Sequence, residues 1–346
     1  MPLIEKFLSA GFKVIIAAGG DQKILLQSVF PQLEFVEIKG YRVKYGSTKW
    51  ETPVKIFLQI PKILIAINRE NKWLKRFVTA QHPDVIVSDN RFGLHHKGIL
   101  SVFITHQLGI KTSFGKIADR IAQKINYFFI NQFDYCWVPD TGTGIPLAGE
   151  LSHPSAKPVT PVQYIGWLSA IKKEALPVSN PVLLLLSGPE PQRTIFENML
   201  LQQLDQIKQA VILVRGLPSA TAPLPPRNGL TVYNYLSGQQ LQQVINASAV
   251  IVSRAGYSTL MDILPLEKKC IVVATPGQAE QEYLAAWLGQ HGYVCACPQH
   301  ALHLASLLEK VSQLPTSAAL PGNNEGPAAD AISRLQATLN NRPQQP

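Results

Sequence analysis

Residues 252–285 read VSRAGYSTLMDILPLEKKCIVVATPGQAEQEYLA, and this stretch predicts the architecture of the second half of the chain. An apolar run over 249–252 precedes a glycine turn and a helix-like segment, and a second apolar run over 270–274 precedes a polar turn and another helix. This order predicts two parallel strands whose following helices begin at the same edge of one sheet. Helix N-termini carry unpaired N–H groups and a partial positive charge, so the stretch predicts a site for a nucleotide diphosphate.

Size and composition narrow the class of protein. The chain has 346 residues, 46% of them hydrophobic, which suits two domains with full cores and excludes a largely disordered protein. No apolar run approaches the roughly 20 residues of a membrane span, and no signal segment opens the sequence. The four cysteines do not form a disulfide pattern, and Cys295 and Cys297 have no partner at zinc-site spacing. We therefore expect a cytoplasmic protein that needs neither a metal nor an organic cofactor.

Positive charge is concentrated in the first half of the chain. Residues 1–165 carry 20 Lys and Arg against 12 Asp and Glu, whereas the remainder carries 12 against 11. Within 39–76, ten basic residues alternate with aromatic and aliphatic ones, including Tyr41, Trp50 and Trp73. This pattern is typical either of an ordinary Lys-rich helix face or of a segment that contacts an anionic membrane. Nucleic acid is not an expected partner, because no nucleic-acid motif accompanies the charge.

Alternating apolar runs and helical segments predict two successive Rossmann-like α/β domains that face each other across a cleft. We expect the first domain to cover 1–165 and the second to cover 166–325, with a C-terminal helix and tail over 326–346. The predicted strands lie at 13–18, 34–38, 84–88, 101–105, 135–138, 182–186, 210–215, 230–233, 249–252 and 270–274. The predicted helices include 52–80 with a kink or break at Pro61, 114–132, one from Pro191 to about 208, 237–246, 300–311 and 328–339.

Polar and glycine residues follow the strands of the second domain at one predicted sheet edge. Glycines allow a ligand to approach the backbone, hydroxyls and N–H groups can bind phosphate, and a helix carboxylate can accept hydrogen bonds from ribose. For each residue the alternative is a local role as a turn, a helix cap or a solvated charge. The donor-binding candidates are Ser187, Gly188, Arg215, Arg254, Gly256, Ser258, Thr259, Asp262, Gln281 and Glu282.

Two polar segments follow neighbouring apolar runs in the first domain. Asp89 and Asn90 follow the strand at 84–88, and His106 and Gln107 follow the strand at 101–105. Because parallel strands end at the same sheet edge, we expect these residues to line the acceptor side of the cleft. His106 is the candidate catalytic residue as a general base, and the alternative is a hydrogen-bonded structural histidine.

The sequence RAGYSTLMD over 254–262, with Gln281 and Glu282 after the next strand, resembles the donor half of GT-B glycosyltransferases. The nearest group is family 28, which includes the peptidoglycan N-acetylglucosaminyltransferase, and UDP-glucuronosyltransferases are more distant relatives. The resemblance implies that Gly256, Ser258 and Thr259 hold the diphosphate and that Asp262 holds the ribose. The paired residues 281 and 282 then hold the donor sugar. The resemblance covers about 180–300 specifically and 80–140 more loosely.

One departure from the family pattern concerns the start of the sequence. The family opens with a strand and a glycine-rich loop that carries a histidine, whereas this sequence opens with MPLIEKFL, which is typical of the helix that follows that loop. We therefore expect the first domain to lack its first strand. Loss of a central parallel strand would expose the edges of its two neighbours.

The resemblance implies an inverting, metal-independent enzyme of the hexosyltransferase class. It would transfer a sugar from a nucleotide-diphosphate donor, UDP-linked by preference, to an acceptor hydroxyl. The basic segment 39–76 suggests a lipid-linked or cell-envelope acceptor and a cytoplasmic protein at the inner face of the membrane. Two alternatives remain open at this point, a sugar-nucleotide 2-epimerase on the same scaffold and a non-catalytic protein that binds sugar nucleotides.

Overall fold

A computed structural model describes residues 1–40, 51–174, 181–218, 224–313 and 326–341 of the chain. These residues form two compact units. The first unit contains the described residues up to Leu168 and the C-terminal helix. The first turn of the helix that starts at Glu51 is the exception, because it belongs to the second unit. The second unit contains the described residues from Ser169 to Gln313.

Strands and helices alternate through the described residues. The strands are β1 Ile15–Ala18, β2 Glu34–Glu37, β3 Val85–Asp89, β4 Leu100–Ile104, β5 Tyr135–Val138, β6 Val162–Tyr164, β7 Val182–Leu185, β8 Val211–Val214, β9 Leu230–Tyr233, β10 Val250–Arg254, β11 Lys269–Ala274 and β12 Cys295–Pro298. The helices are α1 Pro2–Ser9, α2 Asp21–Val29, α3 Glu51–Gln81, α4 Lys116–Ile130, α5 Gln192–Leu201, α6 Gly238–Ala247, α7 Tyr257–Ile263, α8 Ala279–Gln290, α9 Leu304–Gln313 and α10 Gly326–Asn340.

The second unit is built on one six-stranded parallel sheet with the order β12-β11-β10-β7-β8-β9. Its central strands are apolar on both faces, and Leu183, Leu184, Ile251 and Val252 are fully buried. Continuous apolar runs of this kind are expected where helices cover both sides of a parallel sheet. This sheet confirms the α/β architecture predicted for the second half of the sequence.

The strands of the first unit lie in two separate parallel sheets. One sheet pairs β1 with β2, and the other has the order β3-β4-β5-β6. Side chains of the two sheets share cores, since Ala17 of β1 packs with Ile86 of β3 in one apolar cluster. No backbone ladder joins β1 to β3 within the described residues.

The C-terminal helix α10 packs in the first unit, although it follows the second unit in the sequence. Its buried residues Ala328, Ala331, Ile332 and Leu335 join a core cluster that includes Phe7 of α1. The linker after α9 thus returns the chain to the unit in which it began.

Several predicted boundaries were wrong. The helix predicted with a kink or break at Pro61 is not interrupted there, since α3 is continuous over 31 residues with the proline inside it. The helix predicted to reach about 208 ends at Leu201, after which a 3₁₀ turn over Leu204–Gln206 buries Leu204. The segment from Cys295 forms the edge strand β12, which the sequence did not predict. Among the described residues, no helix has the length and apolarity required to cross a bilayer.

Candidate functional site

Four loops of the second unit meet at the carboxyl edge of its sheet. They follow β11, β10, β7 and β8, which are adjacent in the strand order. The sheet therefore brings together Gly277, Gly256, Ser187 and Gly216, although up to 90 residues of sequence separate them. Ligands of open α/β sheets bind at this edge, where the backbone of the loops and the starts of the helices are accessible.

A pocket of about 280 Å³ opens between the loops after β7, β8 and β10. Its polar lining brings together Ser187, Gly188, Thr259 and Asp262, all of which were predicted donor-binding residues. Its apolar lining comes mainly from strand ends and helix faces that the sequence prediction did not include. These apolar lining residues are Ile171, Leu185, Leu186, Val214, Leu236, Leu241, Ile245 and Ile263, with Tyr235 beside them.

Two glycines shape this pocket through their backbone conformation. Gly188 has φ +99° and Gly216 has φ +69°, in the region that favours glycine. A Cβ added to Gly216 would lie 2.5 Å from the carbonyl oxygen of Leu186, so this loop passes too close to β7 for any side chain. The sequence prediction did not include Gly216 among the donor-binding candidates. Its position two residues after the end of the buried strand β8 was the available signal.

Asp262 is half-buried on α7 and lines the pocket. Its Oδ1 accepts hydrogen bonds from the Ala170 backbone N–H at 2.8 Å and from the Ser169 hydroxyl at 3.2 Å. Burial raises the pKa of this carboxyl above 3.8, while these two hydrogen bonds act in the opposite direction. The carboxylate is thus held in place by the 169–170 loop, and a second carboxylate oxygen can still accept a hydrogen bond from a ligand.

The start of α7 supplies backbone donors beside Asp262. Gly256 is its N-cap and accepts the first helical hydrogen bond from Leu260 at 2.9 Å. The N–H groups of the first turn consequently have no acceptor within the helix. Ser258 is exposed, Thr259 is half-buried and lines the pocket, and the nearest atom to a Cβ added at Gly256 would be 3.9 Å away. This corner is therefore open enough for an anionic group to approach.

Gln281 and Glu282 lie in the first turn of α8 and hold the turn that precedes it. Gln281 Oε1 accepts from the Thr275 N–H at 2.9 Å, and Glu282 Oε1 accepts from the Gly277 N–H at 3.1 Å. Glu282 also lines a separate cavity of about 340 Å³ between the ends of β11 and β12. Both side chains thus fix the backbone of the loop between β11 and α8.

Arg215 belongs to a buried ion-pair cluster. Its guanidinium pairs with Glu197 at 2.9 Å, and Arg193 pairs with the other oxygen of the same carboxylate at 2.5 Å. Arg215 also donates to Asn234 Oδ1 at 2.9 Å. Glu197 is only 4% exposed, so the two arginines neutralise a carboxylate that would otherwise be costly to bury. In this arrangement Arg215 supports the β8 loop rather than presenting its charge to the pocket.

Arg254 is the last residue of β10 and is 2% exposed. It donates to the carbonyl oxygens of Ala274 at 3.2 Å and Gln192 at 3.0 Å, and its guanidinium lies 4.1 Å from the ring centre of Phe196. Burial lowers its pKa to about 10. The structure therefore places this predicted donor-binding residue beneath the loops, where it ties the end of β11 to the start of α5.

The polar residues predicted for the acceptor side lie together in the first unit. Asn90 donates its N–H to the Ile104 carbonyl at 3.0 Å, which joins the loops after β3 and β4. The pKa of Asp89 is raised because protein atoms desolvate its carboxyl, and the charge of His106 is among the influences that lower it. Asn126 of α4 holds the backbone of Gln107 through a 2.8 Å hydrogen bond. His106 is half-buried at the same strand end.

No group of His, Cys, Asp or Glu within the described ranges has the arrangement of a metal site. All four cysteines are buried free thiols, and burial raises the pKa of Cys136 and of Cys270 to about 12. Cys295 and Cys297 lie on β12, and the Cys297 thiol donates to carbonyl oxygens of the following turn. These thiols therefore pack in the cores as small apolar groups.

Comparison with known proteins gives a family match for much of the second unit. Residues 194–335 match the glycosyltransferase family 28 C-terminal domain, which confirms the predicted resemblance over that range. The curated UDP-N-acetylglucosamine–N-acetylmuramyl-(pentapeptide) pyrophosphoryl-undecaprenol N-acetylglucosamine transferase of Clostridium kluyveri is 25% identical over 142 residues. The alignment covers 40% of this chain and 40% of that relative, so the chain matches about two fifths of the relative's length.

Solved structures confirm the predicted fold class over nearly the whole chain. The glycotransferase of kitacinnamycin has a TM-score of 0.64 at 15% identity and covers 98% of this chain and 90% of its own. A candidate UDP-N-acetylglucosamine 2-epimerase from Listeria monocytogenes has a TM-score of 0.58 at 11% identity and covers 99% and 93%. At such identities the likeness concerns the fold alone, and the fold is that of GT-B glycosyltransferases with two Rossmann-like domains.

Proposed function

We propose that the chain is a glycosyltransferase that takes a sugar from a nucleotide-diphosphate donor, with UDP as the preferred nucleotide. The observation that carries this proposal is the 280 Å³ pocket at the carboxyl edge of the second sheet. It combines an apolar floor with a glycine loop, a threonine and an anchored carboxylate from three different strand ends. The match of residues 194–335 to family 28 supports the same conclusion from the sequence.

The pocket suits a nucleoside. A pyrimidine ring is flat and largely apolar on its faces, so it fits against Leu236, Leu241 and Ile245 with its polar edge toward the loop at Ser187. Ribose hydroxyls would then donate to Asp262, whose position is fixed by the 169–170 loop. A buried acceptor that meets a hydroxyl donor favours ligands that carry that hydroxyl, because its loss would leave the carboxylate without a partner.

Transfer needs stabilisation of the diphosphate as the sugar leaves. In this proposal the first-turn N–H groups of α7, with the hydroxyls of Ser258 and Thr259, bind the diphosphate oxygens. Gln281 and Glu282 hold the sugar hydroxyls from the adjacent turn. Fixed N–H donors at this position stabilise developing negative charge without a metal ion.

The acceptor side is assigned to the first unit. His106, beside Asp89, is proposed as the general base that removes the proton from the acceptor hydroxyl. A lipid-linked or cell-envelope acceptor is proposed because the Clostridium kluyveri relative is named for a pyrophosphoryl-undecaprenol substrate. Membrane contact through 39–76 stays a prediction, since residues 41–50 lie outside the described part of the chain. We expect His106→Ala to lower turnover by about a hundredfold or more while the donor affinity stays the same.

Calorimetric titration with UDP and UDP-N-acetylglucosamine tests the donor site. We expect binding by the wild-type chain and an about ten- to hundredfold weaker affinity for Asp262→Ala, since a hydrogen bond to a charged group contributes roughly 1.5–3 kcal/mol. Asp205→Asn, which alters an exposed carboxylate in the same unit, is the matched control and should bind as the wild type does. Absence of UDP binding by a folded wild-type chain would refute the proposal.

The 2-epimerase alternative is favoured only by the fold shared with the Listeria monocytogenes protein. An epimerase would convert UDP-N-acetylglucosamine in the absence of any acceptor, whereas a transferase needs an acceptor for sustained turnover. Chromatographic analysis of the sugar nucleotide after incubation without acceptor separates the two activities. Binding without either reaction would indicate a non-catalytic sugar-nucleotide-binding protein.

A further inference from the structure

The turn that carries His106 follows the buried strand β4, and two buried polar side chains hold it. The Thr105 hydroxyl oxygen accepts a hydrogen bond from the Gln107 N–H at 3.0 Å. The side-chain amide of Asn126, on α4, donates to the Gln107 carbonyl at 2.8 Å. Both backbone polar groups of the residue next to His106 are therefore bound by side chains. Thr105 and Asn126 are here called the 107 clamp.

The two ends of this turn are fixed by backbone contacts. The Thr105 N–H donates to the carbonyl of Trp137 on β5 at 3.1 Å, and the Gly109 N–H donates to the Leu151 carbonyl at 2.8 Å. A Cβ added to Gly109 would lie 2.5 Å from the Glu150 carbonyl oxygen, so the chain passes too close for a side chain there. The 107 clamp acts between these two anchored points.

Burial of the clamp has a cost that its hydrogen bonds offset. Thr105 is 4% exposed and Asn126 is 8% exposed, and Leu108 beside them is fully buried. Burying a hydroxyl or an amide is unfavourable unless the group is hydrogen-bonded, and the same is true of the backbone groups of Gln107. Loss of either clamp residue would leave a backbone group of Gln107 without that partner, so the turn would shift to find another.

The position of His106 matters because of its neighbour Asp89. Burial raises the pKa of Asp89, and the charge of His106 is among the influences that lower it. The Asn90 N–H donates to the Ile104 carbonyl at 3.0 Å, which joins the loops that carry the two residues. A general base has to lie within hydrogen-bond reach of the proton it removes, and a misplacement of about 1 Å can lower the rate about a hundredfold.

We propose that Thr105 and Asn126 are positioning residues, which set the backbone next to His106 and thereby fix its imidazole beside Asp89. Neither residue contacts the reacting atoms, and both act through the peptide groups of Gln107. The proposal rests on the proposed role of His106 as the general base.

The titration of Asp89, followed by nuclear magnetic resonance of the full chain with ¹³C-labelled aspartate, tests the proposal. In the wild type, His106→Ala should raise the pKa of Asp89, since a lowering influence is lost. In an Asn126→Leu background the same change should raise it less, because the two groups are no longer held together. Thr105→Val should act as Asn126→Leu does, whereas Thr105→Ser keeps the hydroxyl and should behave as the wild type.

Asn131→Leu is the matched control on the same helix. The Asn131 side-chain oxygen accepts hydrogen bonds from the N–H groups of Val159 and Thr160 at 2.9 Å and 3.1 Å. These residues precede β6 and so lie at the opposite edge of the sheet from the 107 clamp. Asn131→Leu should leave the titration of Asp89 unchanged, and thermal unfolding should show which variants remain folded.

The proposal is wrong if His106→Ala raises the pKa of Asp89 equally with and without Asn126→Leu, or if Thr105→Ser and Thr105→Val behave alike. Should Asn126→Leu not fold, the two Thr105 variants decide the question. In the transferase assay Asn126→Leu should lower kcat at least about tenfold and leave KM for UDP-N-acetylglucosamine unchanged. Unchanged turnover in His106→Ala would refute the proposed base, whereas the titration of Asp89 alone decides whether the clamp positions His106.

Discussion

The two units of this chain arrange their parallel strands differently. In the second unit six strands form one uninterrupted sheet, whereas the six described strands of the first unit form sheets of two and four. The second unit also contains most of the residues matched by the family 28 domain. The first unit contains most of the excess positive charge.

This difference shows how a continuous sheet creates a site. In the second unit, hydrogen bonding between β7, β8 and β10 is sufficient to place Ser187, Gly216 and Asp262 around one pocket. In the first unit the ladders of the β3-β4-β5-β6 sheet place Asp89, at the end of β3, and His106, after β4, at one sheet edge. The break between β1 and β3 limits the number of strand ends that can contribute to one site.

The largest effect is expected for Gly216→Ala in the second unit. Its Cβ would meet the Leu186 carbonyl at 2.5 Å and the residue would keep φ +69°, so the loop has to move away from β7. We expect a loss of about 3 kcal/mol in unfolding free energy and loss of UDP binding. Gly229→Ala has a similar φ of +75° and open space around it, so it should cost only about 1–2 kcal/mol. Urea unfolding measures the stability of the two variants, and calorimetry measures their UDP affinity. Equal losses of unfolding free energy in Gly216→Ala and Gly229→Ala would contradict the steric explanation.

Glu197→Gln examines the ion-pair cluster behind the pocket. The substitution removes the buried carboxylate that both Arg193 and Arg215 contact, and Arg193 keeps its ion pair with the more exposed Glu190, so we expect the unfolding free energy to fall by about 3 kcal/mol. Glu309→Gln, on the exposed side of α9, is the control and should change it by less than about 0.5 kcal/mol. An unchanged unfolding free energy for Glu197→Gln would show that the ion-pair cluster does not stabilise the second unit.

Asp140→Asn is the corresponding change in the first unit. Asp140 is fully buried and accepts hydrogen bonds from neutral donors only, namely the N–H groups of Thr141, Leu147, Ala148 and Trp167 and the hydroxyl of Ser152. An amide would turn a donor toward these donors, and we expect a loss of about 2 kcal/mol. Because no buried cation is left unpaired, the loss in urea unfolding should be smaller than for Glu197→Gln. A larger loss of unfolding free energy for Asp140→Asn than for Glu197→Gln would contradict this explanation.

A smaller effect is expected from pH. Burial raises the pKa of Asp262, so ionisation of this group is less favourable in the folded protein, and its destabilising contribution grows as pH rises from the ordinary carboxyl pKa to the raised one and is complete above it. If ribose binds the ionised carboxylate, affinity for a UDP-sugar should fall as pH drops through the same raised pKa, by up to about tenfold. Calorimetry at several pH values measures this, and Asp262→Asn should remove the dependence. If the affinity of the wild type for the UDP-sugar does not change with pH, Asp262 does not bind the ligand as an ionised carboxylate.

Sequence patterns predicted the strands of the continuous sheet in the second unit and the candidate residues that follow them. The strand runs of the second unit and the residues directly after them, such as Ser187, Thr259 and Asp262, were predicted because burial on both faces leaves an unbroken apolar run. The edge strand β12 was missed because CACP is short and carries no such signal. The helix α3 was predicted over 52–80, but a proline removes one helical hydrogen bond, so the sequence alone indicated a kink or break at Pro61, whereas α3 is uninterrupted there.

Other features depend on tertiary contacts that no local pattern contains. Arg254 and Arg215 lie at or just after the ends of strands, where ligand-binding residues are expected. In this structure Arg254 is buried against Phe196 and Arg215 is paired with Glu197, so each supports the loops. The contact between Asp262 and the 169–170 loop spans more than 90 residues of sequence. Ile117, Ile121 and Ile125 of α4 have the periodicity of a core face, and only the structure shows that they are exposed.

A crystal structure of the full chain with UDP tests the donor site of the second unit most directly. We expect the uracil ring in the 280 Å³ pocket beside Leu236 and Ile245, and a ribose hydroxyl within hydrogen-bond distance of Asp262. The diphosphate should lie at the first turn of α7, near Thr259. UDP bound away from this sheet edge, or bound there with its ribose remote from Asp262, would contradict the proposed site.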